Sequence, residues 1–244
     1  MNKVVLVTGS SKGIGRAIIK EFSKNGYDVV INYNTSYLEA KTLEEEIKTY
    51  NVKVLLIKCD VGVESEVKEM FDKVIKEMGR IDVVINNAGI AIDTMFIDKS
   101  IDNFKKILDT NLIGTFLVSK YFGTYMYDKK EGVILNISST NGIDTCYPES
   151  IDYDASKAGV ISLTHNLAKE FSPYIRVNAL ALGWVDTDMN KDMDISFKEK
   201  ELNKICLHRF ANPFEIAKVA YFVCNDGTYI NSSIIRVDGG IYDR

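Results

Sequence analysis

The stretch that decides the fold is Thr8-Gly9-Ser10-Ser11-Lys12-Gly13-Ile14-Gly15. It stands between an apolar, β-branched run at Val4–Val7 and a helical stripe with apolar residues at 14, 17, 18 and 22. A strand that enters a glycine-rich turn and then a helix offers the unpaired N–H groups of the helix N-terminus to a phosphate. In this reading Gly9 permits the tight turn and Gly13 lets the backbone approach a pyrophosphate. Gly15 lets the helix pack closely on the strand. The spacing Gly-x3-Gly-x-Gly differs from the common Gly-x-Gly-x-x-Gly fingerprint. It also lacks the Gly-Lys-Ser/Thr ending of a nucleoside-triphosphate loop.

Outward from this loop, strands and helices alternate. Apolar runs predict strands at 29–31, 52–57, 81–85, 132–138, 175–179 and 233–237. Apolar spacing predicts helices at 37–50, 67–78, 104–127, 153–171 and 213–224, with Gly26 and Gly79 as stops for the helices before them. The strands are continuous apolar runs, as parallel strands covered on both faces are. The expected architecture is α/β: one doubly wound, Rossmann-type domain over 1–244, with a mostly parallel seven-stranded sheet and helices on both faces. Ligands bind beyond the carboxyl ends of such strands. The stretch 186–212, which has no strand signal, is therefore expected to cover the substrate.

Composition narrows the function. The 244 residues are 46% hydrophobic with a net charge of −4, which argues against a nucleic-acid or anionic-membrane surface. No apolar run is long enough to span a membrane, and no signal peptide is visible, so a cytoplasmic location is expected. Cys59, Cys146, Cys206 and Cys224 form no Cys-x-x-Cys pair and read as reduced structural thiols. His165 and His208, the only histidines, argue against a zinc site and a His-based triad; no metal is expected.

The chain resembles the short-chain dehydrogenase/reductase family through motifs in order along its length. These are Gly9, Gly13 and Gly15; Asp60-Val61; Asn86-Asn87-Ala88-Gly89; Asn111; and Ser139 followed by Tyr153 and Lys157. The resemblance implies a hydride exchange between a nicotinamide and a carbonyl. The residues supply a physical motive. Tyr153 and Lys157 are four apart on a predicted helix and share a face. A phenol is a poor acid near neutrality, and a neighbouring ammonium is expected to lower its pKa. Tyr153 then protonates the nascent alkoxide, and Ser139 holds the substrate carbonyl. By resemblance, Lys157 also binds the ribose and Asn111 helps hold a water that feeds protons to it. The cofactor is expected on Gly9, Ser11, Lys12, Gly13, Ile14, Gly15, Asn34, Thr35, Ser36, Asp60, Val61, Asn87, Ala88, Gly89, Tyr153 and Lys157. The segment after Asn178 adds Gly183, Val185 and Thr187, with Leu182 where the family usually has proline. Trp184 is read as a substrate-side wall or as ordinary packing.

No carboxylate ends the second strand, which runs into Asn32-Tyr33-Asn34-Thr35-Ser36, and Lys12 precedes Gly13. Without a carboxylate to repel a 2′-phosphate, NADP(H) is the expected cofactor, with NAD(H) as the alternative. The lead-in Gly79-Arg80-Ile81-Asp82 and the ending Ile235-Arg236-Val237-Asp238-Gly239-Gly240 resemble the 3-oxoacyl-acyl-carrier-protein reductase type. That implies a carrier-protein-linked carbonyl, and Lys129 and Lys130 either meet an acidic carrier or form a solvated turn. The same chemistry on a sugar, steroid or small ketone is the alternative, and a non-enzymatic nucleotide sensor a third. The loop between Ser139 and Tyr153 is one residue longer than is common for the type. Finally, a homotetramer is expected. Phe116, Leu117, Val118, Tyr121, Phe122 and Tyr125 make the 104–127 helix apolar nearly all round. The helix after Tyr153 carries Val160, Ile161, Leu163 and Leu167, and the last strand is a free edge.

Overall fold

A computed structural model describes residues 2–190 and 193–241. Residues 191 and 192 of the covering stretch and 242–244 of the tail lie outside the described residues. The strands are β1 (Val4–Val7), β2 (Asp28–Tyr33), β3 (Val54–Lys58), β4 (Val83–Asn86), β5 (Gly132–Ser139), β6 (Ile175–Leu182) and β7 (Ile234–Val237). They form one sheet in the order β3-β2-β1-β4-β5-β6-β7, every pair parallel. The chain order reverses between β1 and β4, and a crevice opens there at the carboxyl ends.

β1 shows why the sheet is buried on both faces. Its four residues are fully buried; Val5 and Val7 enter one core, Val4 and Leu6 the other. The first core is closed by α1 (Gly13–Lys24), α2 (Tyr37–Lys48) and α8 (Pro213–Asn225), through Ile18, Phe22, Leu43 and Ile216. The second is closed by α3 (Glu64–Met78), α5 (Gly114–Lys129) and part of α6 (Ile151–Glu170), through Met70, Val74, Phe122 and Ala168. α8 begins where Pro213 predicts, behind a capping box of Asn212 and Glu215. Among the described residues no helix is long and apolar enough to cross a membrane.

Three elements depart from the sequence reading. The expected 104–127 helix is α4 (Ile101–Leu108), a π turn at Asp109–Ile113, then α5. Gly114 packs directly on Val61; a Cβ there would lie 2.6 Å from Val61 Cγ2. β6 runs on to Leu182, which pairs with both Ser139 and Val237, so the strand reaches three residues beyond Ala179. The stretch 186–212 contains a short helix, α7 (Ile195–Asn203), whose first turn is capped by the Asp194 carboxylate accepting from the Phe197 N–H at 3.0 Å. The apolar surplus on α5 is also smaller than predicted. Leu117, Val118 and Phe122 are buried in the chain's own core, and Tyr121 and Tyr125 pack on Phe71. Phe116 remains exposed, with Phe96, Ile97 and Ile101 before it.

Candidate active site

A cleft of about 1360 Å³ opens at the carboxyl ends of the central strands. The β1–α1 loop forms one wall, and its shape is held by side chains that sequence reasoning passed over. Asn32, buried near the end of β2, accepts from the Gly9 N–H at 3.0 Å and donates to the Cys59 carbonyl at 3.1 Å. Thr8 Oγ1 accepts from the N–H groups of Asn87 and Ala88, both at 3.0 Å. The signal for Asn32 was present: a polar amide closing an apolar strand has to find partners if buried. Gly9 has φ +60° and sits against Ala88, where a Cβ would come within 2.9 Å of the Ala88 Cα. Gly15 plays a different part from the one expected. A Cβ there would lie 2.6 Å from Asn87 Nδ2 and 2.7 Å from the Gly9 carbonyl. It therefore admits Asn87 and the turn itself, not the strand, and it does not line the cleft.

Most of the expected cofactor residues do line this cleft. Gly9, Ser11, Lys12, Gly13 and Ile14 surround the N-terminus of α1; Asn34, Thr35, Ser36, Asp60 and Val61 form the end beyond β2 and β3; Asn87, Ala88 and Gly89 follow β4. Gly183, Val185 and Thr187 follow β6, with Thr187 lying over Gly13. Lys12 is exposed at the N-cap of α1. One of the two Asn34 amide N–H groups donates to Asp60 Oδ2 at 2.9 Å.

At the other end stand Ser139, Tyr153 and Lys157. Ser138 Oγ donates to the Lys157 carbonyl at 3.0 Å and ties β5 to α6, which leaves Ser139 as the serine facing the reaction. Ser139 Oγ lies 3.1 Å from Asn141 Oδ1 and 3.3 Å from the Leu182 carbonyl. Lys157 is buried, donates to the Ile137 carbonyl at 2.8 Å, and holds its Nζ 5.5 Å from the centre of the Tyr153 ring. The expected lowering of the phenol pKa by Lys157 is not what the chain alone produces. Burial pushes Tyr153 up to about 12, although the Ser139 hydroxyl pulls it the other way. Burial likewise pushes Lys157 down to about 8, so burial favours the neutral form of both groups.

Asn111 sits in the π turn, buried, with its amide bonded to both backbone groups of Ile90, at 2.8 and 3.0 Å, and to Ser156 Oγ at 3.0 Å. Its side chain is therefore engaged in holding the cleft wall and does not itself line the cleft. π turns of this kind cluster at functional sites. Trp184 both borders the cleft and packs against its neighbours. It lines the cleft, stacks on Phe210 with ring centres 5.6 Å apart, and donates Nε1 to Glu201 Oε2 at 3.2 Å. Tyr147, from the loop with the extra residue, donates its hydroxyl to the same Glu201 oxygen at 2.5 Å.

The model for short chain dehydrogenases matches residues 3–196. The 3-oxoacyl-(acyl-carrier-protein) reductase FabG of Staphylococcus epidermidis is 38% identical over 244 residues, covering 99% of this chain and 100% of the relative. That of Aquifex aeolicus is also 38% identical, covering 98% and 97%. Among solved structures, a short-chain type dehydrogenase/reductase from Mycobacterium marinum superposes with TM-score 0.93 at 30% identity, covering 99% and 96%. A gluconate 5-dehydrogenase from Burkholderia cenocepacia, solved with NADP and tartrate, gives 0.92 at 26%, covering 99% and 96%. With this match, the Ser139–Tyr153–Lys157 cluster and the glycine loop lie on a known framework: the chain belongs to the short-chain dehydrogenase/reductase family and is an NAD(P)-dependent oxidoreductase acting on alcohol and keto groups.

Proposed function

We propose that the chain reduces the ketone of a 3-oxoacyl thioester, carried on an acyl carrier protein, to the secondary alcohol with NADP(H). The observation that carries the chemistry is the convergence of Ser139, Tyr153 and Lys157 at one end of a cleft whose other end is the glycine loop. The residues fit a dinucleotide: Lys12 at the α1 N-cap has no acceptor to cap the helix's first N–H groups, and Gly13 and Ile14 of that first turn line the cleft. When bound there, the cofactor supplies or accepts the hydride. Gly9, Ser11, Lys12, Gly13 and Ile14 would hold its phosphates. Asn34, Thr35, Ser36, Asp60 and Val61 would hold the adenosine, and Asn87, Ala88, Gly89, Gly183, Val185 and Thr187 the nicotinamide half.

The residues then divide the proton work. Ser139 donates to the carbonyl oxygen and fixes it against the phenol. Tyr153, a phenol that is protonated at neutral pH, gives its proton to the developing alkoxide. Lys157, near its own midpoint at about 8, is placed to restore that proton. The segment 186–212 covers the substrate through Asn190, Met193 and Phe197, which line the cleft. A cytoplasmic homotetramer goes with this reading, built through exposed Phe96, Ile97, Ile101 and Phe116 and the half-buried edge strand β7.

A small hydroxylated ketone is the second reading. Asp93 and Glu149 line the cleft with carboxylates that accept no hydrogen bond among the described residues, as a polyol would require. The deciding experiment follows NADPH and NADH consumption with acetoacetyl thioesters, simple ketones and keto-sugars. Turnover highest on the thioesters is the expected result; turnover confined to the keto-sugars overturns the thioester assignment.

A further inference from the structure

Asp152, the residue before Tyr153, and Lys99, from a distant segment, form an ion pair withdrawn from solvent that has no part in the reaction described above. Lys99 follows a short turn at Phe96–Asp98, ahead of α4, and its side chain is 3% exposed. Asp152, in the first turn of α6, is 0% exposed. The Lys99 ammonium has three donors, and all three are placed: Asp152 Oδ1 and Oδ2 at 2.9 Å each, and the Ile92 carbonyl at 2.9 Å. Asp152 Oδ1 also accepts the N–H of Tyr153 at 3.0 Å.

This makes one side of a frame around the Tyr153 peptide. Its N–H is connected through Asp152 and Lys99 to the Ile92 carbonyl. Its carbonyl accepts from Ser156 Oγ at 2.7 Å, and Ser156 accepts from Asn111, which holds both backbone groups of Ile90. Both peptide groups of Tyr153 are thus tied to the same Ile90–Ile92 strip, which follows β4 and lines the cleft through Ile90 and Ala91. Burying an ion pair gains little stability over an apolar pair of the same size, whereas removing one member leaves an uncompensated charge. A buried pair with this geometry is better explained by what it holds in place.

We propose that Lys99 and Asp152 are positioning residues, which set where the Tyr153 phenol stands relative to the cleft wall that follows β4. The proposal rests on Tyr153 being the proton donor. Nothing in the local sequence marks the pair, since the partners are 53 positions apart.

The test uses Lys99→Met, Asp152→Asn and the double variant, with Tyr153→Phe as the control for the underlying reading. Steady-state kcat and KM are measured on the best substrate of the panel, cofactor affinity by fluorescence titration, and folding by thermal melts. The single variants are expected to lower kcat at least tenfold with cofactor Kd within twofold of wild type. The double variant carries no unpaired charge and is expected to melt near wild type. Its kcat is still expected to be reduced severalfold, because the link to Ile92 is gone. A purely structural pair would move the melting temperature and leave kcat of the folded enzyme alone. Wild-type kcat in the folded double variant overturns the proposal even if the single variants do not fold. Wild-type kcat in Tyr153→Phe would instead remove the reading beneath it.

Discussion

At the glycine-loop end of the cleft, the groups that face a ligand are largely backbone. They are set by residues whose identity the geometry dictates: Gly9 at φ +60° against Ala88, Gly15 against Asn87, and Thr8 receiving two N–H groups from the strand-end turn. At the carbonyl end they are side chains held by other side chains from distant segments. Ser139 is set beside Asn141, Tyr147 and Trp184 share Glu201 from the covering helix, and Tyr153 is framed by Asp152 and Ser156. The first end follows from the shape of a dinucleotide. The chemistry of the second depends on burial, which acts on the reacting groups themselves.

The largest expected effect falls on the carbonyl end alone. Tyr153→Phe removes only the phenol hydroxyl and should reduce kcat roughly 10²–10⁴-fold, the usual worth of a positioned general acid. Cofactor affinity draws on many contacts along the cleft, so the loss of one hydroxyl should change it by no more than roughly a few-fold in a fluorescence titration. A parallel loss of affinity would show that the two ends are not separable.

Burial gives the next test. Lys157 has its ordinary value of 10.5 pushed down to about 8. Below pH 8 both folded and unfolded chains carry the ammonium, and the native state bears the penalty of keeping it dry. Between about 8 and 10.5 the unfolded chain binds more protons than the native one, so stability rises with pH. Above that window the penalty is gone. The difference corresponds to about 3 kcal/mol. Lys157→Met at pH 7 should therefore raise the melting temperature while abolishing turnover. The gain is reduced by about 1 kcal/mol for the hydrogen bond to Ile137 that is lost. Melts at pH 7 and pH 10 should differ in the wild type and coincide more closely in the variant. A lower melting temperature in the variant at pH 7 would mean that the ammonium is not held at a penalty.

The same contrast explains what the sequence made legible. The parallel strands, the helices on both faces and the glycine loop were readable because each has a local signature: continuous apolar runs, a helical stripe, glycines where a side chain would collide. Tyr153 and Lys157 were readable because helix geometry brings residues four apart together. The π turn around Asn111 was not, since a single extra residue barely disturbs a helical stripe. The direction of the Tyr153 shift was also missed, because it depends on how deeply the fold buries the ring. Glu201, receiving Tyr147 and Trp184, joins positions with no local signal between them. α7 itself was hidden by a weak apolar pattern within a stretch rich in charge.

The smallest expected effect lies at the glycine-loop end and turns on one exposed side chain. Lys12 is an exposed cation of the loop and lines the same cleft as Asn34, Thr35 and Ser36, which supply only neutral groups; Asn34 already donates to Asp60. A 2′-phosphate there would gain a charge-assisted contact from Lys12, while a 2′-hydroxyl would gain little. Exposure and salt weaken such a pair, so its worth is about 1–2 kcal/mol, or roughly tenfold in selectivity. Lys12→Glu should accordingly lower kcat/KM for NADPH about tenfold or more, leave NADH within a few-fold, and have less effect as ionic strength rises. The comparison needs both cofactors on both proteins, because a loss shared equally by NADPH and NADH would place Lys12 at the pyrophosphate instead of the ribose. A wild-type preference for NADH would remove the NADP(H) assignment, while the hydride chemistry at Ser139, Tyr153 and Lys157 would stand.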